Sequence, residues 1–362
     1  MIAVRAPGKL MIAGEYAVLE SGRPAVVVAV DRWVEVRLRA VAGPWTTIRP
    51  DPTAQAVRCR RICGELIAED CDAEQRHSVE YVIAAVSVVT DLVEHRELPT
   101  CAVDLAVTSA LAHPDGRKYG LGSSAAVTAA TVTALDRLYT LNLTDQQRYR
   151  LSLLATATID PQSSGADLAA CIWGGWLAYC APDRRNAAAI RKGRGVEAAL
   201  ADPWPGFAAR RLPAPDGVRL LVGWTGRPAS TRQLLAAQPR NNERYRDFLD
   251  GSAINVWSLI TAIHLGDARR LQSEINCARK LLAELAAATG IAIMTPELAA
   301  LCAAAESVGA AAKPSGAGGG DCGIAVIDSS AEQCVHELKR KWAAAGIEAL
   351  PLKIAPACRE CP

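Results

Sequence analysis

Lys118-Tyr119-Gly120-Leu121-Gly122-Ser123-Ser124-Ala125-Ala126 is the stretch on which the fold turns. Glycine has no Cβ, so such a loop can present successive backbone N–H groups to an anion. The residues that follow, Ala125 to Leu138, are apolar and Ala-rich and read as a helix. Loop amides and a helix N-terminus then meet at one point, which suits a phosphate. Far along the chain stands a second loop, Lys313-Pro314-Ser315-Gly316-Ala317-Gly318-Gly319-Gly320-Asp321-Cys322-Gly323. The pair suggests a phosphate-rich ligand held from two sides. Neither common nucleotide signature is present. The order G-x-x-x-x-G-K-[ST] is missing, and so is G-x-G-x-x-G with its acidic partner.

Outward from these loops, short strands are expected at Ile2–Ala6, Ala25–Val30, Val34–Arg39 and Cys101–Val107. The first should end at Pro7-Gly8, and residues 43–53 read as a Pro-rich connection. Helices are expected near 79–92, 146–158, 229–238, 245–265, 268–288, 296–308 and 331–345. Strands are also expected at Val218–Trp224, Gly323–Ile327 and Ala349–Ile354. Elements alternate irregularly, so the expectation is α+β and not a doubly wound parallel sheet. The Arg- and Pro-rich segment from Asp183 to Pro215 reads as the junction of two domains, 1–205 and 206–362.

Composition narrows the function. The chain has 362 residues, half of them hydrophobic, and a formal net charge of +2. That charge is too balanced to argue for nucleic acid or an anionic membrane. No apolar run reads as long enough to span a bilayer. MIAVRAPGKLMIAGEY lacks the apolar core of a signal peptide, so a cytoplasmic enzyme is expected. Most of the 12 cysteines stand singly in apolar segments, as buried thiols do. Only Cys358-x-x-Cys361 has metal-like spacing, and it has no second pair.

With those residues in view, the chain resembles the GHMP kinases, the group of galactokinase, homoserine, mevalonate and phosphomevalonate kinases. Gly120-Leu121-Gly122-Ser123-Ser124-Ala125 looks like the family's ATP-phosphate loop. Ala6-Pro7-Gly8-Lys9-Leu10 with Gly14-Glu15-Tyr16 resembles its first motif, and Ser315 to Cys322 its third. The three stand in the family's order across nearly the whole chain. Lys118-Tyr119, Gly223-Trp224-Thr225-Gly226, Pro228-Ala229-Ser230-Thr231 and Gly320-Asp321-Cys322-Gly323 look most like the branch whose acceptor is phosphomevalonate. The histidine-containing second substrate motif of the mevalonate branch is missing.

The resemblance implies a ribosomal S5-like N-terminal domain, a ferredoxin-like C-terminal domain and a site in the cleft between them. It implies ATP and Mg²⁺, a small-molecule acceptor, and a monomer or homodimer. Tyr119, Gly120, Leu121, Gly122, Ser123, Ser124 and Ala125 would hold the ATP phosphates, with Ser124 also a Mg²⁺ ligand. Lys9, Lys118 and Asp167 would be catalytic. Glu15, Tyr16, Ser164, Ser230, Thr231, Ser315, Gly316 and Ala317 would face the acceptor. Arg279 could meet a phosphate or simply be solvated, and Trp224 reads as core.

A phosphate monoester has a second pKa of about 6 and is largely ionised at neutral pH, so a general base is hardly needed. Asp167 is therefore expected to orient Lys9 or bind metal, with a helix N-cap as the plainer reading. Mevalonate kinases carry a Mg²⁺-binding Glu eleven residues before this Asp; here Thr156 stands there, with Asp160 close by. Pro314 replaces a small residue and should stiffen the loop entry. A hydroxyl-phosphorylating kinase, for which Asp167 would be indispensable, and a non-catalytic sensor on the same scaffold remain the alternatives.

Overall fold

A computed structural model describes residues 1–228 and 243–360. The architecture is the expected α+β, with one large mixed sheet and one small antiparallel sheet. The large sheet contains β1 (Ile2–Ala13), β2 (Pro24–Val41), β3 (Trp45–Arg49), β4 (Val57–Ile62), β5 (Glu65–Glu69), β6 (Ala102–Ser109), β7 (Trp176–Cys180), β8 (Ala208–Leu212) and β13 (Arg359–Glu360). Its main path runs β13-β1-β2-β6-β3-β4-β5, and β7 joins β2 to β8. The small sheet runs β10-β11-β9-β12, from Ala311–Pro314, Cys322–Asp328, Val218–Trp224 and Glu348–Leu350.

Helices α1 (Ala73–His95), α2 (Ser123–Leu138), α3 (Asp145–Ala157), α4 (Ala166–Trp173) and α5 (Arg184–Ala201) belong to the first layer. α2 lies directly on β1 and β2. Its small residues, Ala126, Ala129, Ala130 and Ala134, are fully buried, which lets the helix approach the sheet closely. Buried Thr131 and Thr133 turn their hydroxyls back to the carbonyls of Val127 and Ala129 and leave no polar group unpaired. α6 (Glu243–Leu265), α7 (Ala268–Thr289), α8 (Pro296–Glu306) and α9 (Glu332–Ala344) accompany the small sheet.

Several boundaries differ from expectation for identifiable reasons. β1 does not stop at Pro7-Gly8. Pro7 donates no ladder hydrogen bond, and the pairing with β2 shifts register there and resumes. The two strands expected after Pro24 are one, because β2 pairs with β7 through its first half and β6 through its second. Residues 43–53 contain β3. The β4–β5 hairpin turns on Cys63 and Gly64, both at positive φ (50 and 87°), a turn suited to the twist of a hairpin. The Asp183–Pro215 segment holds α5 and β8. Because β8 pairs with β7, the large sheet extends past residue 205. The tail also returns to it as β13, which pairs with β1, and Cys358 N–H donates to Cys171 O on α4 at 2.9 Å.

By length and composition α6 could cross a membrane, contrary to the reading of the sequence, but half of its most apolar window is buried within the protein. Among the described residues no three or more His, Cys, Asp and Glu side chains gather as a metal site. The helix expected at 229–238, and with it Ser230 and Thr231, lies outside the described residues, as does Cys361.

Candidate active site

Between the two sheets lies a cleft of about 500 Å³. Its walls bring together most of the residues singled out in the sequence: Lys9, Glu15, Tyr16, Lys118, Gly120 through Ala125, Ser164, Asp167 and Ser315 through Ala317.

The first glycine loop is shaped by its neighbours. Gly120 and Gly122 stand at φ +77 and +79°, a region that costs an L-residue about 1–2 kcal/mol. A Cβ on Gly120 would fall 2.4 Å from Asp321 Cγ, and one on Gly122 would fall 3.1 Å from Lys9 Cε. Lys9 N–H donates to Leu121 O at 2.9 Å and ties the loop to β1. Gly122 is the N-cap of α2 and supplies no side-chain cap. Among the described residues, the N–H groups from Gly120 to Ala125 find no acceptor within the protein, and the ammonium groups of Lys9 and Lys118 find no carboxylate. A row of open donors with two cations beside it is a site for a polyanion.

Asp167 sits in the first turn of α4, where Gly165 is the N-cap. The plain capping reading of Asp167 is thereby removed. Its Oδ1 accepts from Leu168 N–H at 3.0 Å, and its Cβ approaches the same face of Gly122 as Lys9 does. Lys9 and Asp167 thus pack on one face of Gly122, and both line the cleft.

The second glycine loop is built differently. Ser315 N–H donates to Cys322 O at 2.9 Å, Gly319 N–H to Ile293 O at 2.9 Å and Asp321 N–H to Arg227 O at 2.7 Å. Gly316 N–H points at Glu15 Oε1 at 3.4 Å. The Ser315 hydroxyl accepts from Met11 N–H and donates to Met11 O, both at 3.0 Å. Tyr16, itself at φ 62°, donates its hydroxyl to Ala317 O at 2.5 Å. Burial and the neighbouring Glu15 push the Tyr16 phenol well above its ordinary range, so it stays a donor. The Lys313 ammonium, 0% exposed, binds the Glu15 carboxylate and, at 2.7 Å, Pro314 O. Glu15, Tyr16 and Ser315 thus line the cleft, but their polar atoms join β1 and the turn after it to the third motif.

The remaining expectations divide as follows. Trp224 is core, 3% exposed, with its ring centroid 5.2 Å from that of His113 and 4.8 Å from that of Tyr119. Arg279 is not in the cleft and pairs with Glu306. Pro314 closes β10 opposite Gly323, where a missing N–H is tolerated. Sequence reasoning missed His77 and Tyr81, which reach the cleft from α1. Their spacing of one helical turn, off the Val79–Val82–Val86 stripe, was the available signal. It also missed Asp321 as the residue packed against Gly120.

Whether Mg²⁺ suits the cleft can be judged from its oxygens. Ser124 Oγ, Asp160 and Asp167 all line it. The Thr156 hydroxyl, on a residue 6% exposed, has no partner among the described residues. Mg²⁺ needs only one or two carboxylates or hydroxyls besides phosphate oxygens and water. The donor set fits.

Comparison with known proteins agrees with this geometry. The family model for the GHMP kinases N terminal domain matches residues 80–175, and that for GHMP kinases C terminal matches 259–344. The chain belongs to the GHMP kinases, with the two-domain fold expected of them. It is 46% identical to the phosphomevalonate kinase of Streptomyces sp. (strain CL190), covering 98% of this chain and 97% of the relative. Among solved structures, the phosphomevalonate kinase of Streptococcus pneumoniae in complex with phosphomevalonate and AMPPNP is similar at a TM-score of 0.84 and 28% identity, covering 98% of this chain and 100% of that one. The Lin0012 protein of Listeria innocua is similar at a TM-score of 0.90 and 30% identity, covering 99% of each chain.

Proposed function

We propose that this chain transfers the γ-phosphoryl group of ATP to the phosphate of (R)-5-phosphomevalonate, giving 5-diphosphomevalonate on the mevalonate route to isoprenoids. One observation carries the reading: the cleft gathers the amides of Gly120 to Ala125, Lys9, Lys118 and Asp167, and among the described residues those amides and both ammonium groups have no protein partner. The near full-length likeness to the Streptomyces phosphomevalonate kinase supports this acceptor.

The chain's own groups do the following. The amides of Gly120 to Ala125 and the N-terminus of α2 receive the nucleotide phosphates. Lys9 and Lys118 sit where charge accumulates as the phosphoryl group moves between two anions, and neutralising that charge is the main catalytic task. The attacking oxygen belongs to a phosphate already ionised near neutral pH, so Asp167 need not remove a proton. It positions the Lys9 ammonium through its charge. Ser124, with Asp160 or Asp167 and the Thr156 hydroxyl, would hold Mg²⁺, which when bound neutralises the phosphates. We place the division between the two domains after Leu212, where the last strand pairing of the large sheet in this region ends.

The test is a coupled ADP-release assay with ATP and Mg²⁺, offering phosphomevalonate and mevalonate separately. Turnover of phosphomevalonate alone is expected. Turnover of mevalonate alone would move the reaction to a hydroxyl acceptor and make Asp167 a base.

A further inference from the structure

The loop that leads into Asp167 has almost no secondary structure of its own. It runs from Asp160 to Gly165, between α3 and α4, and carries Ser163 and Ser164 into the cleft. Side chains from elsewhere hold its carbonyls. Arg184, the first residue of α5, donates Nη1 to Gln162 O at 3.2 Å and to Ser163 O at 3.1 Å. Its Nη2 donates to Leu19 O at 2.5 Å, in the short turn that follows Tyr16. Tyr179, on β7, donates its hydroxyl to Ser164 O at 2.5 Å and shares a 2.6 Å hydrogen bond with the hydroxyl of Tyr149 on α3. Burial pushes both phenols well above their ordinary range, so both remain neutral donors. Gly165 packs on the same pair: a Cβ there would fall 2.7 Å from the Tyr149 hydroxyl and 3.1 Å from that of Tyr179.

Three successive carbonyls, of Gln162, Ser163 and Ser164, are therefore fixed from outside, and the same guanidinium reaches the first motif. Only Arg can do this, because its planar fork offers several donors in fixed directions whereas Lys offers a point charge. None of these hydrogen bonds is made to the phosphate loop, which Lys9 N–H ties to β1 and against which Asp321 packs.

We propose that Arg184 is a positioning residue for the acceptor half of the cleft, acting with Tyr179. Together they set Ser164 and Asp167 against the acceptor while leaving nucleotide binding to the first glycine loop. The inference rests on the acceptor proposed above, and it explains how a loop without regular structure can be ordered before substrate arrives. Preorganisation of this kind matters, since a displacement of about 1 Å can cost up to about a hundredfold in rate.

The experiment compares Arg184→Ala, Arg184→Lys and Tyr179→Phe with Arg185→Ala, an exposed neighbour on the same helix. Arg184→Ala is expected to raise KM for phosphomevalonate about tenfold or more while KM for ATP stays within about twofold. Guanidinium at millimolar concentration should recover part of the loss, Arg184→Lys should fall between, and Arg185→Ala should match the parent. Amide hydrogen exchange, which needs no acceptor, should speed up across residues 160–167 in Arg184→Ala and stay unchanged across 120–126. Equal rises in both KM values, or unchanged exchange at 160–167, would overturn the proposal. If the parent protein leaves phosphomevalonate untouched, the proposed reaction fails, and the exchange pattern alone still decides the role of Arg184.

Discussion

The two glycine-rich loops look alike as sequence and are opposite as structure. The first, Gly120 to Ala125, has amides, and nearby lysine ammonium groups, without a protein partner among the described residues. In the second, Ser315, Gly316, Gly319 and Asp321 point their amides at protein acceptors, and its partners in the other domain are the side chains of Glu15 and Tyr16 and the backbone of Met11. Glycine serves close approach in both: Gly120 and Gly122 admit Asp321 and Lys9, and Gly318 packs on Ile293 of its own domain. Glycine content alone therefore does not distinguish a binding loop from a joint; the fate of the amides does.

The largest way to break this comparison is Lys313→Met. It leaves the Glu15 carboxylate buried without its cation, and losing one partner of a buried pair costs about 3–5 kcal/mol. Denaturant unfolding should show that loss. Adding Glu15→Leu should recover much of it, because the stranded charge goes with it.

Next comes Lys9→Met, which touches the open loop. It should lower kcat by about 10²- to 10³-fold, as expected when one preorganised charge is removed from a transition state. Its unfolding midpoint should stay near the parent's, since the ammonium has no protein partner among the described residues. If Lys313→Met proved the more damaging to kcat and Lys9→Met to stability, the division of labour would be reversed.

A smaller effect is expected from Gly122→Ala. Forcing an L-residue to φ +79° costs about 1–2 kcal/mol. The new methyl also meets Lys9, so KM for ATP should rise by about tenfold.

Tyr16→Phe removes one hydrogen bond of the joint and should cost about 1 kcal/mol of stability, with little change in acceptor KM. A change in acceptor KM larger than the change in stability would return Tyr16 to the acceptor. The raised Tyr16 phenol gives this contribution a pH sign. Its proton is held more tightly folded than unfolded, so the stabilisation is full below the ordinary phenol value of about 10 and is lost as pH rises above it. Unfolding of the parent and Tyr16→Phe should therefore converge in strong alkali.

The smallest effect concerns Cys322, whose thiol donates to Tyr119 O at 3.1 Å and so links the two loops. Burial pushes this thiol far up. At pH 8 alkylation should reach the exposed Cys63 and Cys101 and spare Cys322.

Much of the molecule was legible because its signals are local. Gly-x-Gly-Ser-Ser before an Ala-rich run marks a loop entering a helix, and the capping box at Thr144 begins α3 one residue from where apolar spacing placed it, whereas that at Asp72 begins α1 six residues before the expected start. What was not legible depends on distant partners. Pro7-Gly8 reads as a strand end until β2 is seen to absorb the register shift. Glu15, Tyr16 and Ser315 occupy motif positions, yet only the fold shows Lys313, Ala317 and Met11 meeting their polar atoms. Arg184 stands in an Arg- and Pro-rich stretch that reads as a domain junction, because a side chain that binds backbone carbonyls leaves no pattern in sequence.

Amide hydrogen exchange with and without AMPPNP tests the central claim most directly. The account predicts protection on nucleotide binding at Gly120 to Ala125 and none beyond the unliganded level at Gly316 to Gly320. Protection gained at Gly316 to Gly320 with none at Gly120 to Ala125 would contradict it.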